Sequence, residues 1–278
     1  MAPDAPSVSV VIPVRDDAAA LERCLARLAA QAVTPLEVLV VDNGSVDGSA
    51  AVARAAGVTV LHEDEPGILA AAARGFDAAS GDVLARCDAD SVVPRDWVAR
   101  IRDAFAADPE LDGLTGPGRF HDLPAPWSAV ASAAYAAGTF VAAGAAIANV
   151  PLWGSNMAIR RERWHALADR LDRTDPHVHD DLAIAMALGP RARVRFDPRL
   201  RVAAEGRIFR SPADARRRVA LAMRTFRRGW AVEGGPGERW ARRLGGRGGG
   251  GLADRAAARR LRLGPPPEGR APEGRRAA

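Results

Sequence analysis

The sequence predicts an α/β fold: a doubly wound, mostly parallel sheet with helices on both faces. Short valine-rich runs such as SVSVVIPV (7–14) and LEVLVV (36–41) are typical of strands that are buried on both faces. Segments with apolar residues at helical spacing separate these runs, and strands that alternate with helices form the βαβ units of a parallel sheet. Polar clusters follow the predicted strands, at the edge of the sheet where ligands bind in such folds.

The first half of the chain contains four predicted strands, at 7–14, 36–41, 58–62 and 82–87. Helices fill the gaps between them, and a further helix follows Pro94. In the first of these helices apolar residues recur at i, i+3, i+4 and i+7, and Asp16 or Asp17 can cap its start. This alternation predicts crossover connections between parallel strands.

Two helices of unusual composition are predicted in the second half. Residues 123–159 carry no charge and could span a bilayer by length, but alanine and glycine are poorly apolar, so we expect a buried or interfacial helix. Ser211, Pro212 and Asp214 signal the start of the second helix. One face of that helix is apolar and the rest is rich in arginine. Such a helix lies on a membrane surface or packs its apolar stripe on the domain, and we expect the packed arrangement. The apolar face consists of Val219, Met223, Phe226 and Trp230.

Composition limits the size and the partners of the fold. The chain has 278 residues, of which 48% are hydrophobic, enough for one large domain or one domain with an appendage. The net charge of +5 is uneven, because residues 1–204 are acidic and the C-terminal quarter is rich in arginine. The basic part either contacts an anionic surface, of membrane or nucleic acid, or is a solvated, disordered tail. The two cysteines, Cys24 and Cys87, belong to no metal or redox motif.

Carboxylates follow two of the predicted strands and begin a later apolar-periodic segment, whereas the common nucleotide and zinc motifs are absent. Asp88 and Asp90 come directly after the fourth strand, and two acids at i and i+2 can chelate Mg²⁺ or Mn²⁺ or form a solvated turn. Asp42 ends the second strand, where it can accept hydrogen bonds from a base or start an Asx-turn. Asp180 and Asp181 begin an apolar-periodic segment. They either cap a helix there, or one of them acts as a general base toward a hydroxyl.

The order of these motifs resembles the inverting family 2 glycosyltransferases of the GT-A fold, from about Val8 to Leu188 and more weakly to about Trp230. VVIPVRDD resembles the family's opening strand and loop, and VVDNGSVDGS its nucleotide-contacting segment VVDDGSxDGT. GILAAAARGFDAASGDVLARCDAD follows the pattern GxxxARNxGxxxAxGxxxxxxDxD, and DDLAIAMAL resembles EDLDLALRL. The chain departs from these patterns at Gly75, where the family has Asn, and at Asp180, where Glu is usual. It also lacks the QxxRW-type segment of processive synthases.

The resemblance implies a role for each candidate residue. It implies that Asp181 is the catalytic base and that Asp88 and Asp90 hold a divalent cation, Mn²⁺ or Mg²⁺, with Asp90 as a direct ligand. The donor, a nucleotide-diphosphate sugar, is then bound by Pro13, Asp16, Asp42, Arg74 and Asp88. We therefore expect a metal-dependent transfer of a sugar to an acceptor hydroxyl with inversion at the anomeric carbon.

Three other functions fit part of the pattern. A nucleotidyltransferase also uses acids on such a sheet, but it usually has a Gly-rich basic loop after the first strand. The segment in that place here, PVRDDAAAL, is not such a loop. A receiver or scaffold domain could also have acids at its strand ends. A receiver domain has a lysine near those acids, however, and the chain contains no lysine. A catalytically inactive, binding-only member of the transferase family is the third alternative.

The expected organisation is one transferase domain at residues 1–233 and an Arg/Gly/Pro-rich disordered tail at 234–278. The nucleotide-sugar half lies at about 1–115 and the acceptor half at about 116–233. The N-terminus, MAPDAPSV, lacks the pattern of a secretory signal, so we expect a cytoplasmic protein, with peripheral contact to the inner face of the membrane if the acceptor is lipid-linked. Nucleic acid is not an expected partner.

Overall fold

A computed structural model describes residues 5–207 and 211–245. The strands are β1 (Val8–Val14), β2 (Glu37–Asp42), β3 (Thr59–His62), β4 (Val83–Arg86), β5 (Gly113–Thr115), β6 (Gly118–Phe120), β7 (Met157–Arg160), β8 (Val194–Phe196) and β9 (Val202–Ala204). The helices are α1 (Ala18–Ala29), α2 (Ser49–Ala55), α3 (Ile68–Ala78), α4 (Trp97–Ala107), α5 (Trp127–Ala136), α6 (Gly144–Ile147), α7 (Arg161–Leu167), α8 (Asp180–Leu188), α9 (Pro212–Glu233) and α10 (Pro236–Leu244). A π-helical segment, Ala137–Ala143, joins α5 to α6, and a 3₁₀ turn, Ala168–Arg170, follows α7.

The main sheet has seven strands in the order β3-β2-β1-β4-β7-β5-β8. Strand β7 runs antiparallel to its neighbours β4 and β5, and the other pairs are parallel. Parallel β6 and β9 form a second, small sheet. The doubly wound, mostly parallel fold predicted from the strand pattern is confirmed. Because β7 is antiparallel, the loop that precedes it lies at the same edge as the carboxyl ends of β1 and β4.

Two apolar cores sandwich the sheet. Alternate residues of β1 point to opposite faces, so Val10 packs with α1 and α4 and Val11 packs with α3 and α8. All seven residues of β1 are buried, as its unbroken apolar run predicts. The thiols of Cys24 and Cys87, both unoxidised, lie 3.9 Å apart in the first core, a proximity that the sequence did not indicate.

Asp17 occupies the N-cap position of α1 but makes no capping hydrogen bond with its side chain. Asp16 precedes it with a left-handed backbone, φ 53°, and does not cap the helix either. The predicted capping role is therefore wrong for both residues. The Asp17 carboxylate instead contacts the guanidinium of Arg207, which draws it toward the carboxyl edge of the sheet.

The helical segment Trp127–Ile147 is long and apolar enough to cross a membrane, but only 11% of its most apolar window is buried. The expectation of a buried helix is therefore wrong, and the interfacial alternative stays a prediction. Trp127, Val130 and Val141 are large apolar side chains on its exposed surface. Tyr135 and Phe140 pack on the first core and attach the segment to the domain.

Helix α9 begins as predicted, with Ser211 accepting a hydrogen bond from the Asp214 amide and Pro212 at the first helical position. Its apolar stripe packs only in part. Phe226 is buried and Trp230 packs beside it on the second core, whereas Val219 and Met223 are exposed.

Residues 236–244, expected to be disordered, form α10. Its Arg239 is fully buried and donates to the carbonyl oxygens of Ile147 and Met186. These contacts hold α10 on α6 and α8. The remainder of the predicted tail, 246–278, lies outside the described residues.

Candidate active site

A cavity of about 300 Å³ opens at the carboxyl edge of the sheet. The loop after β1, the loop after β4, the loop before β7 and the first turn of α8 form its walls. Arg207 and Arg218 come to it from the C-terminal part of the chain. Its lining includes Pro13, Arg15, Asp17, Arg86, Asp88, Asp90, Tyr135, Trp153, Gly154, Ser155, His179, Asp180 and Asp181. Three of the predicted acids, from two separate motifs, therefore meet in one cavity.

The two acids of the D-x-D motif differ in their surroundings. Asp88 is held on both oxygens: Oδ1 accepts from Nη2 of Arg86 at 2.7 Å, and Oδ2 accepts from the hydroxyl of Ser155. Among the residues that the structure describes, Asp90 forms an ion pair only with Arg207, whose Nε lies 3.3 Å from its Oδ2. The Asp88 carboxylate is thus fixed in orientation by contacts to both of its oxygens, whereas the Asp90 carboxylate is held at one oxygen.

Arg207 is surrounded by carboxylates. Besides Asp90 it contacts Asp17 and Glu205, the latter at 3.2 Å. Burial, followed by the charge of Asp88, raises the pKa of Asp90 to about 7, and the charge of Arg207 opposes this shift. So much negative charge in a partly buried site favours a cation, and at Asp90 the guanidinium of Arg207 supplies the positive charge.

The donor set fits a hard divalent cation. Asp88 and Asp90 offer carboxylate oxygens, the ligands that Mg²⁺ and Mn²⁺ prefer. Within residues 5–207 and 211–245, no three His, Cys, Asp or Glu side chains form a ready cage for a metal. An ion bound here would therefore take its remaining ligands from water and from diphosphate oxygens, as is usual for Mg²⁺.

Asp180 and Asp181 open α8 and have different environments. The Asp180 side chain is buried, and its Oδ2 lies 3.0 Å from Nε of Arg86. Asp181 is partly exposed to the cavity. Its Oδ2 accepts from the Gly154 amide at 2.8 Å and its Oδ1 from the Leu182 amide at 2.7 Å. Two backbone donors thus orient the carboxylate, and each oxygen keeps a lone pair for a hydroxyl proton.

The remaining predicted donor residues are spread along the same edge. Pro13 lines the cavity. Asp16 lies in the adjoining loop, where its Oδ1 accepts from the Val46 amide. Asp42 ends β2, accepts from the Ser45 amide and lies 4.0 Å from His62. Arg74 is exposed on the second turn of α3 and is not among the residues that line the cavity.

Several cavity residues were missed in the sequence. Arg86 stands inside the predicted strand DVLARC, where a charged residue in a buried run was the available signal. Gly154 and Ser155, although part of the noted segment GSNMAIRRERW, had no assigned role. Tyr135 and Arg207 lie far along the chain from the acidic motifs, so only tertiary folding brings them to the site.

Comparisons with known proteins place the chain in a family. The model of "Glycosyl transferase family 2" matches residues 9–127, and that of "Glycosyl transferase family group 2" matches residues 85–232, more than half of the chain. "Glycosyltransferase AglE" of Haloferax volcanii is 39% identical over 103 residues, 34% of each chain. An "undecaprenyl-phosphate 4-deoxy-4-formamido-L-arabinose transferase" of Aeromonas hydrophila is 37% identical over 107 residues, 35% of this chain and 33% of that one. The match thus spans about a third of the length of these curated relatives.

Solved structures share the fold over most of its length. The mannosyltransferase PcManGT of Pyrobaculum calidifontis, solved with GDP-Man and Mn²⁺, aligns with a TM-score of 0.56 and 21% identity, over 92% of this chain and 81% of that one. Glucosyl-3-phosphoglycerate synthase of Mycobacterium tuberculosis, solved with Mn²⁺, UDP and glucosyl-3-phosphoglycerate, aligns with a TM-score of 0.60 and 18% identity, over 82% and 80%. With the family models matching in sequence and this fold shared in structure, the chain belongs to the family 2 glycosyltransferases.

Proposed function

We propose that this protein transfers a sugar from a nucleotide-diphosphate sugar to an acceptor hydroxyl, with inversion and with the help of a divalent cation. One observation carries the proposal: the D-x-D carboxylates and Asp181 face a single cavity at the carboxyl edge of a family 2 glycosyltransferase fold. Two structures of this fold were solved with Mn²⁺, one together with GDP-Man and the other together with UDP, which agrees with such a donor and such a cation.

The donor lies with its diphosphate at Asp88 and Asp90 and its nucleoside toward the ends of β1 and β2, near Pro13, Asp16 and Asp42. Asp88 and Asp90 would hold the divalent cation, which would neutralise the charge that develops on the diphosphate leaving group. Arg15 lines the cavity and is better placed than the exposed Arg74 to approach the phosphates.

Asp181 takes the proton from the acceptor hydroxyl. As this O–H bond breaks, the oxygen attacks the anomeric carbon from the face opposite the diphosphate. The bond from that carbon to the diphosphate oxygen breaks in the same displacement, and the configuration inverts. The amides of Gly154 and Leu182 hold the carboxylate in place for this step.

The acceptor is lipid-linked or a cell-envelope glycan, and the protein works at the inner face of the cell membrane. Relatives named undecaprenyl-phosphate transferases support a lipid-linked acceptor. The exposed apolar surface of the segment Trp127–Ile147 supports membrane contact. Tyr135, from this segment, lines the cavity, so an acceptor in the membrane could reach the cavity directly from the membrane surface.

A panel of nucleotide sugars, each incubated with Mn²⁺ and with EDTA, tests the proposal. Glycosyl transfer or slow donor hydrolysis releases nucleoside diphosphate, whereas nucleotidyl transfer from the same donor would release sugar 1-phosphate. We expect nucleoside diphosphate with one donor, dependent on the metal, and a rise in Tm with the same donor. Release of sugar 1-phosphate would contradict the proposal and favour the nucleotidyltransferase alternative. Release of no product although the donor binds would favour the binding-only alternative.

A further inference from the structure

Arg86 is a charged residue in a strand that is otherwise apolar. It ends β4, and its side chain is 1% exposed. A buried guanidinium is costly unless carboxylates pair with it. Two do so: Nη2 donates to Oδ1 of Asp88 at 2.7 Å, and Nε lies 3.0 Å from Oδ2 of Asp180. Arg86 therefore joins the D-x-D motif to the first turn of α8, two segments more than ninety residues apart.

The space for this guanidinium comes from Gly154. A Cβ atom at position 154 would lie 1.8 Å from Nη1 of Arg86, so a side chain there would displace the arginine. The amide of the same glycine donates to Oδ2 of Asp181. The next residue, Ser155, donates to the other oxygen of Asp88. The guanidinium thus packs against the segment Gly154–Ser155. This segment binds Asp181 of the first turn of α8 and Asp88 of the D-x-D motif.

We propose that Arg86 is a positioning residue: it fixes the place of Asp181 relative to Asp88 and Asp90 and does not itself contact substrate. Its catalytic consequence rests on the proposed function. The clamp consists of Arg86, Gly154 and Ser155, which bind Asp88, Asp180 and Asp181. Without the guanidinium, the first turn of α8 loses its fixed distance from the end of β4, and the Gly154–Asp181 hydrogen bond weakens.

A purely structural ion pair between Arg86 and Asp180 is the competing explanation, and a neutral double variant separates the two. Arg86→Gln alone leaves the buried Asp180 carboxylate unpaired, so its Tm falls. Arg86→Gln/Asp180→Asn removes both charges at similar volume, so its Tm returns close to that of the parent protein. We expect its kcat to stay about 10²-fold below the parent while KM for the donor changes by less than about threefold, because misplacement of about 1 Å costs a factor of this size.

Arg239 is the matched control, since it too is a fully buried arginine, but within the described part of the chain its hydrogen bonds go to backbone carbonyl oxygens. Arg239→Gln should lower Tm and leave kcat within about twofold. Arg86→Lys serves as a second test variant in case the double variant does not fold. It keeps the charge but cannot bridge two carboxylates in fixed geometry, so we expect a reduced kcat there as well.

Hydrogen exchange at the Gly154 amide gives a readout that needs neither metal nor turnover. We expect exchange to be about tenfold faster in the double variant than in the parent, and unchanged in Arg239→Gln. If Tm, kcat and exchange all return to parental values in the double variant, the pair is structural and the proposal is wrong. If the parent turns over no donor, the proposed function fails, and the exchange rate at Gly154 alone decides for or against the clamp.

Discussion

Asp181 is the residue that serves as the base in the proposed reaction. Its oxygens are oriented by the Gly154 and Leu182 amides, so an amide side chain at this position would lose both the charge and the basic oxygen. We expect Asp181→Asn to lower turnover by about 10²–10⁴-fold, the usual contribution of a general base. Donor binding should persist, because the base contacts the acceptor. Release of nucleoside diphosphate measures turnover, and the Tm shift with donor measures binding.

Asp103→Asn is a suitable control for this prediction, because Asp103 is an exposed acid on α4 outside the cavity lining. It should match the parent in both assays. Near-parental turnover in Asp181→Asn would mean that another group accepts the proton, and Asp180, the neighbouring acid, would then be the first to examine.

Arg207 competes with any metal ion for the same carboxylates, since it contacts Asp17, Asp90 and Glu205. Removing its positive charge while keeping a polar side chain should strengthen cation binding. We expect Arg207→Gln to bind Mn²⁺ several-fold more tightly than the parent, and Asp90→Asn to bind it far more weakly. Titration of free Mn²⁺ by electron paramagnetic resonance measures both. Weaker binding by Arg207→Gln would show that the arginine supports the ion rather than competing with it.

At the scale of elements, α3 approaches the sheet more closely than a side chain would allow. A Cβ atom at Gly75 would lie 2.3 Å from Cγ1 of Val11 and 3.0 Å from Cγ2 of Val41. Alanine has the better helix propensity, by up to about 1 kcal/mol, but overpacking of a core typically costs about 1–3 kcal/mol. We therefore expect Gly75→Ala to lower the free energy of unfolding, measured by chemical denaturation.

Gly138→Ala provides the matched control for this effect. Gly138 is also helical, and a Cβ atom there would have no heavy atom within 4 Å. Its substitution should be neutral or slightly stabilising, because only the propensity changes. If both alanine variants were equally stable, α3 would be able to move away from the sheet without loss of stability. The close approach at Gly75 would then not require glycine.

Elements that form from local pattern were predictable, and elements that depend on tertiary contact were not. The valine run of β1 and the start signals of α9 act within a few residues, and both match the structure. Helix α10 was missed because its sequence is polar and glycine-flanked. Its place is set by Arg239 and Trp240, which donate to distant carbonyl oxygens.

The same division applies to the site. Asp88, Asp90 and Asp181 follow strands or begin a helix, and topology alone brings such positions to one edge of a sheet. Arg86 had one signal, its place in a buried strand, but Arg207 had none, because all 39 Lys and Arg residues of the chain are arginines and Arg207 lies in no motif. Their roles come from burial and from the carboxylates around them, which only the folded chain defines.

At the scale of the whole molecule, apolar and basic surfaces flank the cavity. The segment Trp127–Ile147 contributes Tyr135 to the cavity, and α9 contributes Arg218. The first has exposed apolar side chains, and the second has exposed arginines with Val219 and Met223 among them. Apolar area together with positive charge is what binds a protein to an anionic lipid surface. We infer that this side of the molecule faces the membrane.

Vesicle binding tests that orientation. The protein should sediment with vesicles that contain phosphatidylglycerol at low salt, bind less at high salt, and bind weakly to purely zwitterionic vesicles. The double variant Trp127→Ser/Val141→Ser removes apolar area, and Arg216→Gln/Arg217→Gln removes charge, so each should weaken binding. Val46→Ser, an exposed apolar residue in the loop after β2, should have no effect.

The two double variants also separate the two forces. Loss of charge should reduce the salt dependence of binding, whereas loss of apolar area should weaken binding at every salt concentration. A protein that stays wholly in the soluble fraction at low salt would contradict the orientation, and the cavity would then receive its acceptor from solution. If Val46→Ser weakened binding as much as Trp127→Ser/Val141→Ser, the attraction would be nonspecific, and no defined side of the molecule would face the membrane.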